Sequence, residues 1–77
     1  MQINIILFGQ LTDITGGDRV ILEDVADTDS MIETLHRNYP ALNNSKYIIA
    51  VEKKAISENT VLTNNCTVAL LPPFSGG

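Results

Sequence analysis

An α+β fold, with one main helix packed on a mixed sheet of four or five strands, is predicted by the order of apolar segments along the chain. Two short strand-like segments, 2–8 and 19–22, come first and are separated by a Gly-Gly turn signal. One stretch with helical periodicity follows at 28–39, and two further β-branched segments lie at 46–51 and 67–71. A hairpin, a crossover helix and returning strands in this order fit a β-grasp architecture.

The first and last strands are each predicted to turn one set of side chains into the core. Side chains alternate between the two faces of a strand, so every second residue shares a face. The predicted core set is Ile3, Ile5, Leu7, Val68 and Leu70. Ile6, Phe8 and Leu71 then lie on the opposite face, where they form an apolar area that points away from the helix.

The helix is predicted over residues 28–39, because apolar residues recur within it at the spacing of one helical face. Asp27 is the predicted N-cap, since its carboxylate can accept hydrogen bonds from the free N–H groups of the first turn. Ser30 with Glu33 offers a competing capping box, so the helix has two candidate starts. Pro40 ends the helix, because a proline disfavours helical backbone in the residue before it.

Three features of the second half of the chain receive structural interpretations. A short edge strand near residues 60–62 is the candidate for the fifth strand, within a segment that is otherwise irregular. His36 has no cluster of metal-ligating residues at suitable spacing, so it is interpreted as a surface residue of the helix. Cys66 is the single cysteine, which excludes an internal disulfide, and it is interpreted as structural.

Length, composition and charge restrict the class of protein. The 77 residues suffice for one small domain, and 44% apolar with 18% charged residues is typical of a folded chain. A formal net charge of −4 argues against nucleic acid and anionic membranes as partners and favours a protein with a basic surface. No apolar segment is long enough to span a bilayer and no signal-peptide pattern opens the chain, so a cytoplasmic location is expected.

Residues 72–77 are predicted to form an extended tail on a β-grasp domain of residues 1–71. Pro72 and Pro73 cannot donate to a sheet ladder, and their fixed φ favours an extended exit from the domain. Gly76 and Gly77 have no Cβ and can pass through a channel that is too narrow for other residues. At ~3.3 Å per residue, such a tail reaches roughly 20 Å from the sheet. It presents the α-carboxylate of Gly77 as a group that another protein can activate in its own active site.

Two plainer interpretations of the chain end are a disordered terminus and an appended cloning remnant. Both explain the Ser-Gly-Gly sequence by itself. They do not explain two prolines and Phe74 joined directly to a last strand. The chain also stops at the second glycine, where a reactive carboxylate would have to be.

Four segments together resemble the family of small, sulfur-carrying subunits of molybdopterin synthase. Members of that family open with a strand ending in Leu-Phe, here Leu7-Phe8, and have a helix that ends near a proline, here Pro40. A strand similar to Ala-Val-Asn follows, here residues 50–52. The specific part is the closing Pro-Pro-x-Ser/Thr-Gly-Gly, here residues 72–77, because Gly-Gly alone is shared by all ubiquitin-like carriers.

The resemblance implies a sulfur-transfer mechanism centred on Gly77. An activating enzyme that uses ATP and magnesium adenylates its carboxylate, and a sulfur donor converts the adenylate to a thiocarboxylate. The tail then enters the active site of the large synthase subunit, where the sulfur attacks cyclic pyranopterin monophosphate to build the dithiolene of molybdopterin. In the family the working complex is a heterotetramer. The small subunit binds no metal or cofactor of its own and has no acid–base constellation.

The resemblance also implies which residues contact partners. Apolar residues at positions matching Phe8, Leu62 and Leu71 bind the activating enzyme and the large subunit. The tail residues that enter the partner are Pro72, Pro73, Phe74, Ser75, Gly76 and Gly77. Three departures from the family pattern bear on partner identity more than on chemistry: Thr12 stands where arginine is common, Glu52 replaces asparagine, and residues 64–66 replace an Asp-Gly-Asp turn.

Other functions share the same features in part. A thiamin-type sulfur carrier has the fold and the Gly-Gly end, but its relatives lack the Pro-Pro pair. A ubiquitin-like modifier uses the same carboxylate to form isopeptide bonds with lysines. A binding module with an inert tail is a third alternative. A free-standing enzyme is disfavoured, because the sequence contains no catalytic cluster.

Overall fold

Five strands form one mixed sheet, and they occur in the spatial order β2-β1-β5-β3-β4. This arrangement comes from a computed structural model that describes residues 2–73. The elements along the chain are β1 (Gln2–Leu7), α1 (Leu11–Thr15), β2 (Arg19–Glu23), α2 (Thr28–Asn38), a 3-10 segment (Pro40–Asn44), β3 (Ile48–Val51), β4 (Lys54–Ile56) and β5 (Thr67–Leu71). The predicted α+β class, with one main helix and a five-stranded mixed sheet, is confirmed.

The two central strands, β1 and β5, run parallel, and the other neighbouring pairs are antiparallel. The β1–β2 hairpin supplies one half of the sheet, and β5 returns beside β1 after α2 has crossed over. A parallel pair needs such a long crossover, because a tight turn can join only antiparallel strands. The order of elements along the chain is that of the predicted β-grasp. The order of the strands across the sheet could not be derived from side-chain alternation.

The core lies between the sheet and α2. All five predicted core residues of the first and last strands are buried: Ile3, Ile5, Leu7, Val68 and Leu70. Met31 and Leu35 of α2 are fully buried in the same cluster. Since burial on this one face removes every second side chain of β1 and β5 from water, the opposite face of the sheet is left to solvent or a partner.

The main helix begins at Thr28, as predicted, and Asp27 is its N-cap. Oδ1 of Asp27 accepts the Ser30 N–H at 2.9 Å, and the Ser30 hydroxyl lies 3.4 Å from the N–H of Asp27. The capping box therefore joins Asp27 to Ser30 and not Ser30 to Glu33. The helix ends at Asn38, one residue before the predicted end, and the chain continues from Pro40 as a 3-10 segment.

The predicted edge strand at residues 60–62 is wrong. The fifth strand is β4 at Lys54–Ile56, which pairs with β3 through a tight turn. Glu52 and Lys53 occupy that turn with φ of 48° and 72°. A polar turn is predicted around residues 52–54, but the sequence has no glycine or asparagine there to mark a tight hairpin, since other residues rarely adopt this left-handed backbone. Residues 60–62 pair instead with the segment before α2, through a single bridge between Val61 and Asp27.

The segment between β1 and β2, predicted as a connecting turn, contains the short helix α1. Leu11 at its start is buried in the core. Gly16 ends the helix in the left-handed conformation with φ of 78°. This agrees with the turn that the Gly-Gly pair predicts.

Candidate functional site

The chain leaves the sheet at Leu71 and passes directly over Gly9. Phe8 donates its N–H to the carbonyl of Leu70 at 3.1 Å, which extends the β1–β5 pairing to the end of β5. Pro72 follows against Gly9, where an added Cβ would lie 2.8 Å from Cγ of Pro72. The Gly9 carbonyl is itself held by Thr12, whose Oγ1 donates to it at 2.9 Å. The root of the tail is thus packed against a hydrogen-bonded turn.

The predicted chemical end of the tail lies outside the described residues. Phe74, Ser75, Gly76 and Gly77 follow Pro73, the last residue that the structure describes. The adenylation and thiocarboxylate roles of Gly77, and the partner contacts of the other three, stay predictions. Of the predicted tail contacts, the structure describes Pro72, which is half-buried, and Pro73, which is exposed.

An apolar area lies on the outer face of the sheet beside the tail exit. Phe8 is 45% exposed. Leu71 alternates with buried Leu70 and is half-buried on the outer face, where it lies opposite Ile48 of β3. Phe8 and Leu71 thus lie where the alternation pattern predicts. Ile48 was not predicted in this area, because its placement depends on the β3–β5 register and no local signal reveals that register.

Leu62 does not belong to this exposed area, which corrects its assignment as a surface contact. Its side chain is 3% exposed and forms part of the core. The Leu62 N–H donates to the carbonyl of Ala26 at 2.8 Å, and this pairing turns the side chain inward. Val61, its neighbour, points outward and is 78% exposed.

A row of small side chains crosses the outer face of the sheet at the level of Ala69, two residues before Leu71 on β5. Ala55, Ala50 and Ala69 lie directly opposite one another on β4, β3 and β5, and Ile6 of β1 continues the row. A cavity of about 290 Å³ lies over part of this row. We call it the sheet-face pocket; its lining residues are Ile6, Phe8, Ala50, Glu52, Lys53, Thr67 and Ala69.

The polar end of the sheet-face pocket is built by the left-handed turn between β3 and β4. The Glu52 carboxylate accepts the N–H of Thr67 at 2.7 Å, and Glu52 donates its own N–H to the Thr67 carbonyl at 2.9 Å. Glu52 therefore provides hydrogen-bond partners for both the N–H and the carbonyl of Thr67, the first residue of β5. Lys53, beside it, is exposed at the rim of the pocket.

A second groove of about 300 Å³ lies between the first turn of α2 and strands β3 and β4. The helix N–H groups that face it already have acceptors. Thr28 N–H donates to the Thr60 carbonyl at 2.9 Å, and Asp29 N–H donates to Oδ1 of Asn59 at 2.8 Å. The N–H and hydroxyl of Ser30, then a hydrogen bond from Asn59, hold the pKa of the Asp27 carboxyl below its usual value. This helix end is occupied by the protein's own acceptors, so it offers no free donor to an anion.

Two residues outside the apolar area have structural surroundings. His36, which is predicted as a surface residue of the helix, is half-buried in the structure. Its Nε2 lies 2.6 Å from the hydroxyl of Tyr47. Burial raises the pKa of Tyr47. Cys66 is buried in the core, in agreement with a structural role.

Within residues 2–73 the structure contains no group of three or more His, Cys, Asp and Glu side chains that could hold a metal ion. No helix of that same part of the chain has the length and apolar character needed to cross a membrane. What the described residues do provide is an apolar sheet face, a shallow pocket and, beside them, the root of a tail that follows β5.

Comparison with known proteins gives relatives of the same size. A molybdopterin synthase sulfur carrier subunit of Dictyostelium discoideum is 26% identical over 83 residues, which cover 99% of this chain and 96% of the relative. A putative molybdopterin converting factor, subunit 1, from Pyrococcus furiosus superposes with a TM-score of 0.87 at 17% identity, over 96% of this chain and 99% of the other.

Two further solved structures share the fold over nearly their full length. Small archaeal modifier protein 1 from Methanosarcina acetivorans has a TM-score of 0.83 at 22% identity, covering 99% of this chain and 96% of that one. A chain from the protein–protein complex of subunit 1 and 2 of molybdopterin-converting factor from Helicobacter pylori has a TM-score of 0.75 at 21% identity, covering 100% of this chain and 100% of that one.

The structural neighbours establish the fold, since their identities are low. The sequence comparison goes further, because the sequence model of the ThiS family matches residues 5–77, which is nearly the whole chain and includes the Gly-Gly end. The chain belongs to the ThiS family.

Proposed function

We propose that this chain is the sulfur-carrier subunit of a molybdopterin synthase. The observation that carries the proposal is the junction of β5 with the tail: Pro72 is packed against Gly9 at the edge of an apolar sheet face, and the sequence continues to a terminal Gly-Gly. A tail directed from a docking face is what delivery of a C-terminal group into another protein requires. Membership of the ThiS family and the name of the Dictyostelium relative support the same function.

The proposed chemistry takes place at the carboxylate of Gly77. A carboxylate oxygen attacks the α-phosphorus of ATP, held with magnesium by an activating enzyme, and pyrophosphate leaves. A donor of sulfide-level sulfur then attacks the acyl carbon and displaces AMP, which yields the thiocarboxylate without any change of oxidation state. The thiocarboxylate sulfur forms a bond with a carbon of cyclic pyranopterin monophosphate as an oxygen substituent leaves that carbon, and water cleaves the acyl–sulfur bond, which restores the carboxylate and leaves a thiol on the precursor. ATP and magnesium belong to the activating enzyme, and this chain supplies the acyl group that carries sulfur.

The proposed partners are a large synthase subunit and an adenylating enzyme. The Helicobacter neighbour is a complex of subunits 1 and 2, which supports an assembly of this kind. Phe8, Leu71 and Ile48 supply the apolar contact, since interfaces are built around such anchors. The tail from Pro72 to Gly77 enters the partner, and the exposed Pro73 is accessible to that partner.

The decisive test is the intact mass of the protein after incubation with an activating enzyme, ATP and a sulfur donor. We expect exchange of one oxygen for sulfur, mapped by fragmentation to Gly77, and return to the original mass after addition of the large subunit and precursor. A variant that lacks Gly77 is the control and should keep its mass. An unchanged mass of the complete chain with a competent activating enzyme would overturn the proposal.

A second candidate is a ubiquitin-like modifier, favoured by the structural likeness to small archaeal modifier protein 1. It uses the same activated carboxylate but transfers the acyl group to a lysine amine instead of acquiring sulfur. Mass spectrometry of tryptic peptides from cells expressing the tagged chain distinguishes the two. Lysines that carry the tryptic remnant of this chain, which is residues 55–77 because the last cleavage site is Lys54, would support the modifier, and their absence together with sulfur loading would support the carrier.

A further inference from the structure

Strand β2 lies at one end of the sheet, with β1 as its only neighbour among the strands of residues 2–73. The Leu7 N–H donates to the Asp18 carbonyl at 2.9 Å, which makes these two residues a hydrogen-bonded pair of the β1–β2 ladder. Such pairs alternate with non-bonded pairs along antiparallel strands. In the observed register, the backbone N–H and carbonyl groups of Val20 and Leu22 therefore face β1. The backbone groups of the alternate residues point to the open side of β2.

The residues whose backbone points to the open side are Arg19, Ile21 and Glu23. Their side chains share the outer face of the sheet, since Leu22 between them is buried on the core face. Ile21 is 53% exposed, and the residue opposite it on β1 is the polar Asn4. Arg19 and Glu23 are exposed on either side of Ile21. The edge thus presents a positive, an apolar and a negative side chain at equal spacing.

We propose that β2 pairs antiparallel with β2 of a second copy of this chain, about a two-fold axis at Ile21, so that two sheets join edge to edge. The inference goes beyond the proposed function and does not depend on it. Strand β1 separates this edge from β5, which carries the tail, so the pairing leaves the root of the tail uncovered.

The backbone geometry of the edge fits this pairing. A two-fold axis at Ile21 places the two Ile21 residues opposite each other and Arg19 of one copy opposite Glu23 of the other. These residues have N–H and carbonyl groups that point outward, so each such pair is a hydrogen-bonded pair of the new ladder. The interface is isologous, as in most homodimers, and all the paired side chains stay on the same outer face.

The charges select this register. Opposite charges directly across an antiparallel pair stabilise it, and like charges destabilise it. A shift by two residues leaves Arg19 and Glu23 opposite uncharged residues, and a shift by four places Arg19 opposite Arg19 or Glu23 opposite Glu23. A shift by one residue turns apolar side chains to the wrong face. Charged residues on an edge strand commonly prevent pairing, but here their opposite signs become attractive between two copies.

The paired segment is short. Asp24 has left-handed backbone with φ of 62°, and β2 ends before it at Glu23. Pairing stops there, before Asp24 of one copy would meet Asp18 of the other. Five residues from each copy form a small interface, so we expect a weak dimer with a dissociation constant between about 10 μM and 1 mM.

The experiment is sedimentation equilibrium of the full-length chain and of charge variants. Arg19→Glu places two pairs of like charges across the axis, and Glu23→Arg does the same with the other sign. The double variant Arg19→Glu/Glu23→Arg restores opposite charges and keeps the net charge of −4. Lys54→Glu is the matched control, because it makes the same change of charge on β4 at the other end of the sheet. Thermal melting of each variant reports its folding.

We expect each single variant to weaken the dimer by about tenfold or more, and Lys54→Glu to stay within about twofold of the unmodified chain. The double variant should recover the affinity to within about threefold, and an equimolar mixture of the two single variants should form a heterodimer. An unmodified chain that stays monomeric at about 1 mM would overturn the proposal. A dimer that neither single variant weakens, or a mixture that stays monomeric, would overturn it as well.

Amide hydrogen exchange of the unmodified chain gives a test that needs no variant. The Ile21 N–H points to the open side and enters a hydrogen bond only in the dimer, whereas the Val20 N–H faces β1 in a single copy. Exchange at Ile21 should therefore slow as the protein concentration rises through the dissociation constant, and exchange at Val20 should change much less. A dimer that leaves exchange at Ile21 unchanged would place the contact elsewhere and contradict pairing through β2.

Discussion

Gly9 and Pro72 approach each other so closely that a Cβ atom on Gly9 would lie 2.8 Å from Cγ of Pro72. Gly9 also has φ of +60°, a backbone conformation that residues with a Cβ atom rarely adopt. The turn after β1 thus meets the root of the tail after β5, although the two residues lie at opposite ends of the chain. This contact fixes the root of the tail against the turn after β1.

Alanine substitution at three glycines separates backbone strain from steric contact. Gly17→Ala should change the free energy of unfolding by less than about 0.5 kcal/mol, because its Cβ meets no atom within 4 Å. Gly16→Ala should cost about 1 kcal/mol, since the site is open but φ is +78°. Gly9→Ala should cost more than Gly16→Ala, because it adds the contact with Pro72. Urea denaturation measures all three.

The steric part of the Gly9 effect has its own test. Replacing Pro72 by alanine removes Cγ and with it the steric contact. The double variant Gly9→Ala/Pro72→Ala should therefore lose only the stability expected from the backbone strain at Gly9 and from the loss of the proline ring at Pro72. If Gly9→Ala is as mild as Gly16→Ala, the close approach to Pro72 has no energetic weight.

Leu62 should behave as a core residue in mutational tests. Leu62→Ala is expected to lower the free energy of unfolding by about 2–5 kcal/mol, because it empties a buried site. Val61→Ala at the exposed neighbour should stay within about 0.5 kcal/mol. Chemical denaturation checks both values. Near-equal effects of the two substitutions would contradict the inward orientation of Leu62.

Asn59 ties a distant segment to the start of α2. Its Oδ1 accepts from the Asp29 N–H at 2.8 Å and from the Thr28 hydroxyl at 3.2 Å. Asn59→Ala should cost about 1–2 kcal/mol in the free energy of unfolding, since it removes a helix-capping acceptor. Asn43→Ala, at an exposed position, is the matched control. Amide hydrogen exchange at Asp29 should rise in the first variant only.

The lowered pKa of Asp27 predicts a contribution to stability that disappears in acid. Its carboxylate is stabilised by the N–H and hydroxyl of Ser30 and then by Asn59, so the folded state binds the proton less readily than the unfolded state. The contribution is complete above the usual pKa of 3.8 and is lost as the pH falls through the lower, folded value. Asp27→Asn cannot titrate, so the difference in melting temperature between the two proteins should shrink as the pH drops from about 5 to about 2. A difference independent of pH would refute this role.

Much of the fold follows from patterns that are local in sequence. Alternation placed Ile3, Ile5 and Leu7 in the core, and the Asp27 carboxylate marked the start of α2. These predictions succeed because strand faces and helix caps depend on residues within a few positions of one another. The closing Pro-Pro-x-Ser-Gly-Gly is equally local, and it indicated the family that the sequence comparison confirms.

What the local patterns could not provide is register. The row of Ala55, Ala50 and Ala69 exists only because three strands, far apart in sequence, are aligned by backbone hydrogen bonds. The burial of Leu62 depends on its pairing with Ala26, and the position of β4 depends on left-handed backbone at Glu52 and Lys53. The sequence by itself determined the fold class and the core faces. The tertiary structure decided which side chains share the outer face of the sheet, because pairing between distant strands sets which side chains become neighbours.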